Sequence, residues 1–473
     1  MMWRPLTSAI ALMLAFSPAL RAEEGTASPS LLSAQPMREQ APSATGATPQ
    51  DQTTAVTPPP ASAPSTAAET APTVKLDAPK EAPKKGKVAQ KAPAPKPHEA
   101  AVSLDPEPTL QPGTSAATQA AAEKYTAIAE AGGWPRIAVE LRETANGPDV
   151  LALRQRLAIE GDLDRDALDG DSFDDVLTQA VKSFQLRMGL KPTGIVTGAT
   201  LSAINVPAET RARQLAASAL RIATTTFSFA PRHVVVNIPS ASVEAVENGQ
   251  VVHRYTAIVG DVAHQSPQVS ARIQEVNLNP TWTLPTSIIK NEVIPKMQKD
   301  PAYLSRAKIR ILDGRGNEID PRSIDWTTQK AANYTLRQDP GASNSLGYIR
   351  INMPNKEAVY LHDTPGKRPF GDDYRFLSHG CVRVQGVYDL AQWLLEGTKG
   401  PGGDWTVKDM RAKVDTKERT DIKLEKQVPV IWVYLTGWAS AEGTVHFRDD
   451  VYGLDKDAQP EPTALPSPDM VAR

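Results

Sequence analysis

No disulfide can form within this chain, because its 473 residues include a single cysteine, Cys381. That scarcity excludes the small disulfide-stapled class and leaves no second thiolate for a structural zinc site. An exported protein usually pairs its cysteines or does without them, so one unpaired thiol calls for a chemical explanation. A charge imbalance is also missing: 52 Lys and Arg stand against 54 Asp and Glu, a net charge of −2 that gives no indication of a nucleic-acid partner. Residues 23–118 lack aromatic side chains and consist largely of Ala, Pro, Thr and Ser. Such a stretch cannot bury enough apolar surface to offset its ordering entropy, and it reads as a disordered tether. The one apolar run near the start, residues 9–16, is too short to span a membrane.

What is present begins with export. Arg4 precedes that apolar run and Ser17, Pro18 and small residues follow it, the order of a secretory signal over residues 1–22. Cleavage after Ala19 or after Ala22 fits about equally, and either implies export. Within the tether, Lys75, Lys80, Lys84, Lys85, Lys87, Lys91 and Lys96 against Asp77 and Glu81 make a basic patch of net +5. A solvated, proline-stiffened spacer accounts for it, with an electrostatic hold on anionic wall polymer or membrane as the alternative.

Patterned sequence starts near residue 120. Residues 119–149 are expected to begin a scaffold, followed by a three-helix unit over 150–207. There Val150, Leu153 and Leu157 recur at helical spacing. Ser172 offers an N-cap with Asp175 three residues on, and Phe173, Leu177, Val181, Phe184 and Met188 form the next apolar stripe. A linking helix is expected over 208–229. Strands are then expected at 233–238, 251–259, 273–278, 309–312, 347–353 and 358–361, with helices at 287–297 and 387–395. These place a β-rich domain over 230–400, further scaffold strands over 401–453 and a loose tail over 454–473. The fold class expected is α+β.

The chemistry concentrates in two stretches: Val359, Tyr360, Leu361, His362, Asp363, Thr364 and Pro365, then Ser378, His379, Gly380, Cys381, Val382, Arg383 and Val384. A thiol attacks as thiolate, and a histidine within hydrogen-bond reach is the usual way to remove its proton. Gly380 permits a sharp turn that presents amide N–H groups to a developing oxyanion. Asp363 follows His362 directly, so in a strand their side chains diverge, and a backbone carbonyl is the better orienter of the imidazole. Arg383 has the planar fork that clamps a carboxylate, or alternatively an internal ion pair that holds the loop.

These residues resemble the active-site motif of the YkuD-type L,D-transpeptidases. The resemblance extends to Asn279, Pro280, Thr281, Trp282, Pro285, Ser287, Arg337, Gln338, Pro340, Gly341 and Asn344, and to the run from Val445 to Asp450. That wider pattern is similar to a large Gram-negative subgroup with a helical capping subdomain, here about 287–347, and a scaffold built from both chain ends. The unit at 150–207 resembles a peptidoglycan-binding domain through Val181, Phe184, Gln185, Gly189, Leu190 and Gly194.

The resemblance implies that Cys381 is the nucleophile and His362 the general base, with His379 as the rival base or a contributor to the oxyanion site beside Gly380. Tyr360, Arg383, Ser378 and Trp282 fall on substrate-binding positions. It further implies peptidoglycan stem peptides, donor tetrapeptide and acceptor, as partners, 3→3 cross-links through a cysteinyl thioester as products, and no metal or organic cofactor. Alternatives of the same fold pass the thioester to water, as a carboxypeptidase, or to a protein lysine, as a wall anchor. A papain-like wall endopeptidase and a non-enzymatic wall-binding scaffold are the readings outside it.

Overall fold

The computed structural model describes residues 99–456, which all lie in one unit running from residue 91 to 473. The signal segment, the spacer up to residue 98 and the tail from residue 457 fall outside the described residues.

Residues 99–113 depart from the expected tether. Ala100 forms a bridge to Leu190, and Thr109 donates through its N–H and its hydroxyl to the buried Glu244 carboxylate, both at 2.8 Å. The carbonyls of Ser103, Asp105 and Glu107 accept from the Arg254 guanidinium at 2.8, 2.6 and 3.1 Å. Leu110 is buried with Val235 and Trp438. The strap is ordered by charged side chains that satisfy its backbone rather than by apolar content, which is why a composition argument placed it in the tether.

The helices α1 (Thr114–Glu130), α2 (Pro148–Glu160), α3 (Asp175–Arg187), α4 (Gly198–Ile204) and α5 (Ala208–Ala223) follow. Pro148 opens α2 where its missing N–H has no partner to lose, and Gly161 closes it in the left-handed conformation. At the start of α3 the cap is Asp174, which accepts from Leu177 N–H at 2.9 Å, and not the expected Ser172. A carboxylate is favoured at the positive end of a helix, and the Ser172 carbonyl is taken by Arg154. The apolar stripe of α3 packs with Val150, Leu153 and Leu157 as expected, but Ala439 and Phe447 complete that core. They come from a hairpin of Gly437–Ala439 with Val445–Phe447. Gly189 has φ +72°, the left-handed region that favours glycine, and a Cβ there would lie 2.7 Å from the Arg448 guanidinium, which would have to shift.

The sheet begins with β1 (Arg232–Asn237), β2 (Ser242–Glu247), β3 (Gln250–Gly260) and β4 (Val269–Leu278). The chain then leaves it for a cap: β5 (Trp282–Thr283), α6 (Thr286–Ile288), a π-helical turn (Ile289–Val293), α7 (Ile294–Lys299), α8 (Tyr303–Arg306), β6 (Ile309–Leu312), β7 (Glu318–Ile319) and β8 (Thr335–Gln338). The cap was expected to be helical and to comprise Trp282 and about 287–347. It starts at Trp282 and contains a four-stranded sheet ordered β5-β8-β6-β7, because Ile309, Ile311 and Leu336 turn β-branched and aliphatic side chains onto the cap helices. Asn344 staples its base, donating to the Pro280 and Asp339 carbonyls at 3.0 and 2.9 Å.

The chain returns as β9 (Ile349–Asn352), β10 (Leu361–His362), β11 (Phe376–Ser378) and β12 (Val382–Val384), then α9 (Val387–Leu394), α10 (Val407–Asp415) and a long strand, Thr420–Val433. The sheet order is β11-β3-β12-β10-β9-β4, then Thr420–Val433, β1 and β2, and β2 also pairs with β3, so the sheet closes on itself. One core joins its strands to Leu390, Trp393 and Met410 of α9 and α10. The expected loose tail is fixed at its start, where Arg221 pairs with Asp455 at 2.7 Å.

Candidate active site

Short strands position the candidate residues. β10 pairs in parallel with β12, setting Leu361 opposite Val382 and His362 opposite Arg383. On its other side β9 places Arg350 opposite His362. Leu361, Val382 and Ile351 are fully buried in the main core. Side chains alternate along a strand, so Tyr360, His362, Cys381, Arg383 and Arg350 share the opposite face. The Tyr360 and His362 rings lie 5.7 Å apart, and the Arg350 guanidinium sits 5.3 Å from the centre of the Tyr360 ring.

The turn that carries the thiol is braced from within. Gly380 adopts φ +103°, its N–H donates to Ser378 Oγ at 3.2 Å, and Ser378 Oγ donates to the Cys381 carbonyl at 2.5 Å. From outside, Ser266 Oγ donates to the Gly380 carbonyl at 2.7 Å and Tyr452 supports the neighbouring strand through the Gly260 carbonyl at 2.6 Å. Ser378, expected to touch substrate, is therefore 2% exposed and serves the turn. Gly380 contributes geometry, and its own N–H is already occupied.

Burial sets the proton positions. It pushes the Cys381 thiol up to about 11, against weaker opposing influences of Tyr360, Arg383 and Arg350. It drives His362 down to about 3, with the positive charge of Arg383 acting in the same direction. Near neutral pH the thiol is protonated and the imidazole uncharged. His362 Nδ1 lies 2.5 Å from the Asp363 carbonyl. A carbonyl only accepts, so Nδ1 carries the hydrogen and Nε2 keeps the lone pair a base needs. The backbone thus orients the ring, as the alternation argument required, while the Asp363 carboxylate accepts from Tyr348 N–H at 3.0 Å and pairs with Lys367. The thiol lies across from Tyr360 and one diagonal step from His362 by register. Among the described residues no hydrogen bond joins the two, so the pair is poised rather than ionised at rest.

Arg383 makes no ion pair among the described residues, and its Nε is buried without a hydrogen-bond partner. The internal-pair alternative for this residue is not what the structure contains. Trp282 is half-buried where the cap joins the sheet, opposite Gln338, and its side chain acts on the Tyr360 hydroxyl, whose ionisation burial makes harder. His379 points elsewhere: its Nε2 lies 2.8 Å from Glu292 Oε1 in the cap, and its ring is 4.6 Å from that of His264. The structure thus brings Tyr360, His362, Cys381 and Arg383 to one face, and sets His379 towards the cap. Sequence reasoning missed Ser266, Tyr452 and Glu292, for which no local pattern gives a signal. Among the described residues no group of three or more His, Cys, Asp or Glu is placed to hold a metal ion.

Residues 231–407 match the family described as "L,D-transpeptidase catalytic domain" (YkuD), and residues 146–204 match one described as "Putative peptidoglycan binding domain". A Haemophilus influenzae protein described as "Putative L,D-transpeptidase" is 34% identical over 224 residues, which is 47% of this chain and 44% of that protein. The match thus spans less than half of the relative's length. Two solved L,D-transpeptidase structures are also similar. The one from Xylanimonas cellulosilytica is 17% identical, with 63% of this chain and 100% of that chain covered and a TM-score of 0.19. The one from Mycobacterium smegmatis is 13% identical, with 43% and 59% covered and a TM-score of 0.20.

Proposed function

We propose, on the premise that residues 231–407 are an L,D-transpeptidase catalytic domain and residues 146–204 a peptidoglycan-binding domain, that this protein forms 3→3 cross-links between peptidoglycan stem peptides through a thioester on Cys381. The supporting observation is the lone thiol on the same sheet face as a buried, neutral imidazole whose Nδ1 is pinned by a backbone carbonyl.

The donor is a tetrapeptide stem. As Cys381 Sγ attacks the carbonyl of its third residue, a diaminopimelate, His362 Nε2 takes the thiol proton. A thiol held up to about 11 is not ionised beforehand, so proton removal accompanies attack. The protonated imidazole returns that proton to the departing D-alanine amine. A side-chain amine of the acceptor stem then attacks the thioester. Arg383, half-buried and without an ion pair among the described residues, is the group to receive a stem carboxylate. Tyr360 and Trp282 offer aromatic surface beside it. The reading entails export to the periplasm, where the polymer is.

Incubation with tetrapeptide-bearing muropeptides, followed by mass spectrometry, tests this. Dimers are the expected products; shortened monomers alone would make the protein a carboxypeptidase. Carbapenem acylation of Cys381 should be lost in His362→Ala and persist in His379→Ala. The reverse pattern overturns the choice of base.

A further inference from the structure

The cap reaches the catalytic turn through one carboxylate. Glu292 lies in the π-helical turn Ile289–Val293 that interrupts the cap helix between α6 and α7. Such a turn re-aims side chains and is often found at functional sites. Here Glu292 Oε1 lies 2.8 Å from His379 Nε2, and His379 stands two residues before Cys381. Both side chains are partly open, 33% exposed for Glu292 and 38% for His379. The carboxylate already accepts one ammonium, that of Lys296 at 2.8 Å, so its geometry suits such a group. Its charge also reaches Arg383, which stands opposite His362. The remaining groups facing the pair are His264, 4.6 Å from His379, and Asp261, bonded to His264 at 3.0 Å.

We propose that Glu292 and His379 form the receiving site for the acceptor's primary ammonium group, the carboxylate drawing it to the turn that carries Cys381 and the imidazole taking its proton. The inference rests on the transpeptidase reading above and names the site of its second half-reaction. An alkyl ammonium has a pKa of about 10.4, so only roughly one molecule in a few thousand is uncharged near pH 7. His362 is buried, at 5% exposure, whereas the His379 side chain is 38% exposed to solvent. With Nε2–H held by Glu292, His379 Nδ1 carries the lone pair.

The step balances. The ammonium gives one proton to His379 and thence to solvent. The freed amine nitrogen bonds to the thioester carbonyl carbon, and the C–S bond breaks as the tetrahedral adduct collapses. The second amine proton passes to His362 and from it to sulfur, which restores the thiol.

The experiment compares the full protein with its Glu292→Gln variant on two acceptors, an amine-bearing stem peptide and hydroxylamine, which is uncharged at neutral pH. For each, the ratio of aminolysed to hydrolysed donor is read by mass spectrometry. Glu292→Gln should lower that ratio about tenfold or more for the stem peptide and less than about twofold for hydroxylamine, and Glu292→Asp should recover part of the loss. Equal losses with both acceptors, no loss with either, or failure of Glu292→Gln to be acylated by a carbapenem would each overturn the proposal. Absence of any thioester in the unmodified protein would instead overturn the transpeptidase reading itself.

Discussion

Two buried polar clusters in this molecule are built on opposite terms. In the helical module, Glu160 is fully buried yet surrounded by partners: Arg156 at 2.5 Å, Arg187, and the Tyr125 hydroxyl at 2.8 Å. Arg187 continues to Asp162 at 2.5 Å. Burial opposes ionisation of Glu160, but the Arg187 and Arg156 guanidiniums outweigh it and hold the carboxyl at about 2. On the catalytic face, burial meets less compensation. The Cys381 thiol is kept protonated, His362 uncharged, and Arg383 has no ion pair among the described residues. Where charges answer one another the cluster serves stability; where they are left under-partnered the site is primed for a ligand to complete it.

The comparison breaks most sharply at His362. Replacing it with Ala should cut carbapenem acylation of the folded protein by about 10²- to 10⁴-fold, the usual worth of a positioned base. Glu160→Gln should do the opposite. Removing one partner of a buried ion pair costs about 3–5 kcal/mol, read as a lowered denaturant midpoint, while the protein that remains folded is acylated normally. Arg383→Met removes a half-buried charge that has no ion pair among the described residues, so stability should change by less than about 1 kcal/mol or rise, while KM for the tetrapeptide donor rises about tenfold. Ser266→Ala, which frees the Gly380 carbonyl from its brace, should cost about 1 kcal/mol.

Acid separates the clusters as well. His362 has a folded pKa depressed from 6.5 to about 3, so its contribution is present above pH 6.5 and is lost as pH falls through about 3. Glu160 is depressed from 4.5 to about 2, so its contribution holds above pH 4.5 and is lost as pH falls through about 2. Between these upper limits only the catalytic cluster's share of stability declines. Urea titrations of the unmodified protein and of Glu160→Gln at pH 7, 5.5 and 3.5 should show their difference shrinking only at the lowest value.

Regular periodicity and reactive chemistry were legible before the structure. The strand at Ile309–Leu312 and the helix at Val387–Leu394 carry their own alternation or apolar stripe, and the lone thiol with its nearby histidines singled out the candidate site. Pairing between distant residues was not legible. The strap at residues 99–113 depends on Arg254 and Glu244, which lie more than a hundred positions away. β10 is only two residues long, too short for any period, and the closure of β2 onto β3 follows from no local pattern. The bracing bonds of Ser378 were not legible either, because its position beside the thiol says nothing about which way a turn folds its hydroxyl.

The hairpin that supplies Ala439 and Phe447 has a practical consequence. Excising residues 146–204 as a portable wall-targeting tag would strip them of Phe447, and would leave the Arg187 guanidinium without the Val445 carbonyl it meets at 3.2 Å. A catalytic fragment begun at residue 231 would likewise lose the strap that satisfies Glu244 and Arg254. Swapping of modules between enzymes of this build should therefore fail unless both chain ends travel with the graft.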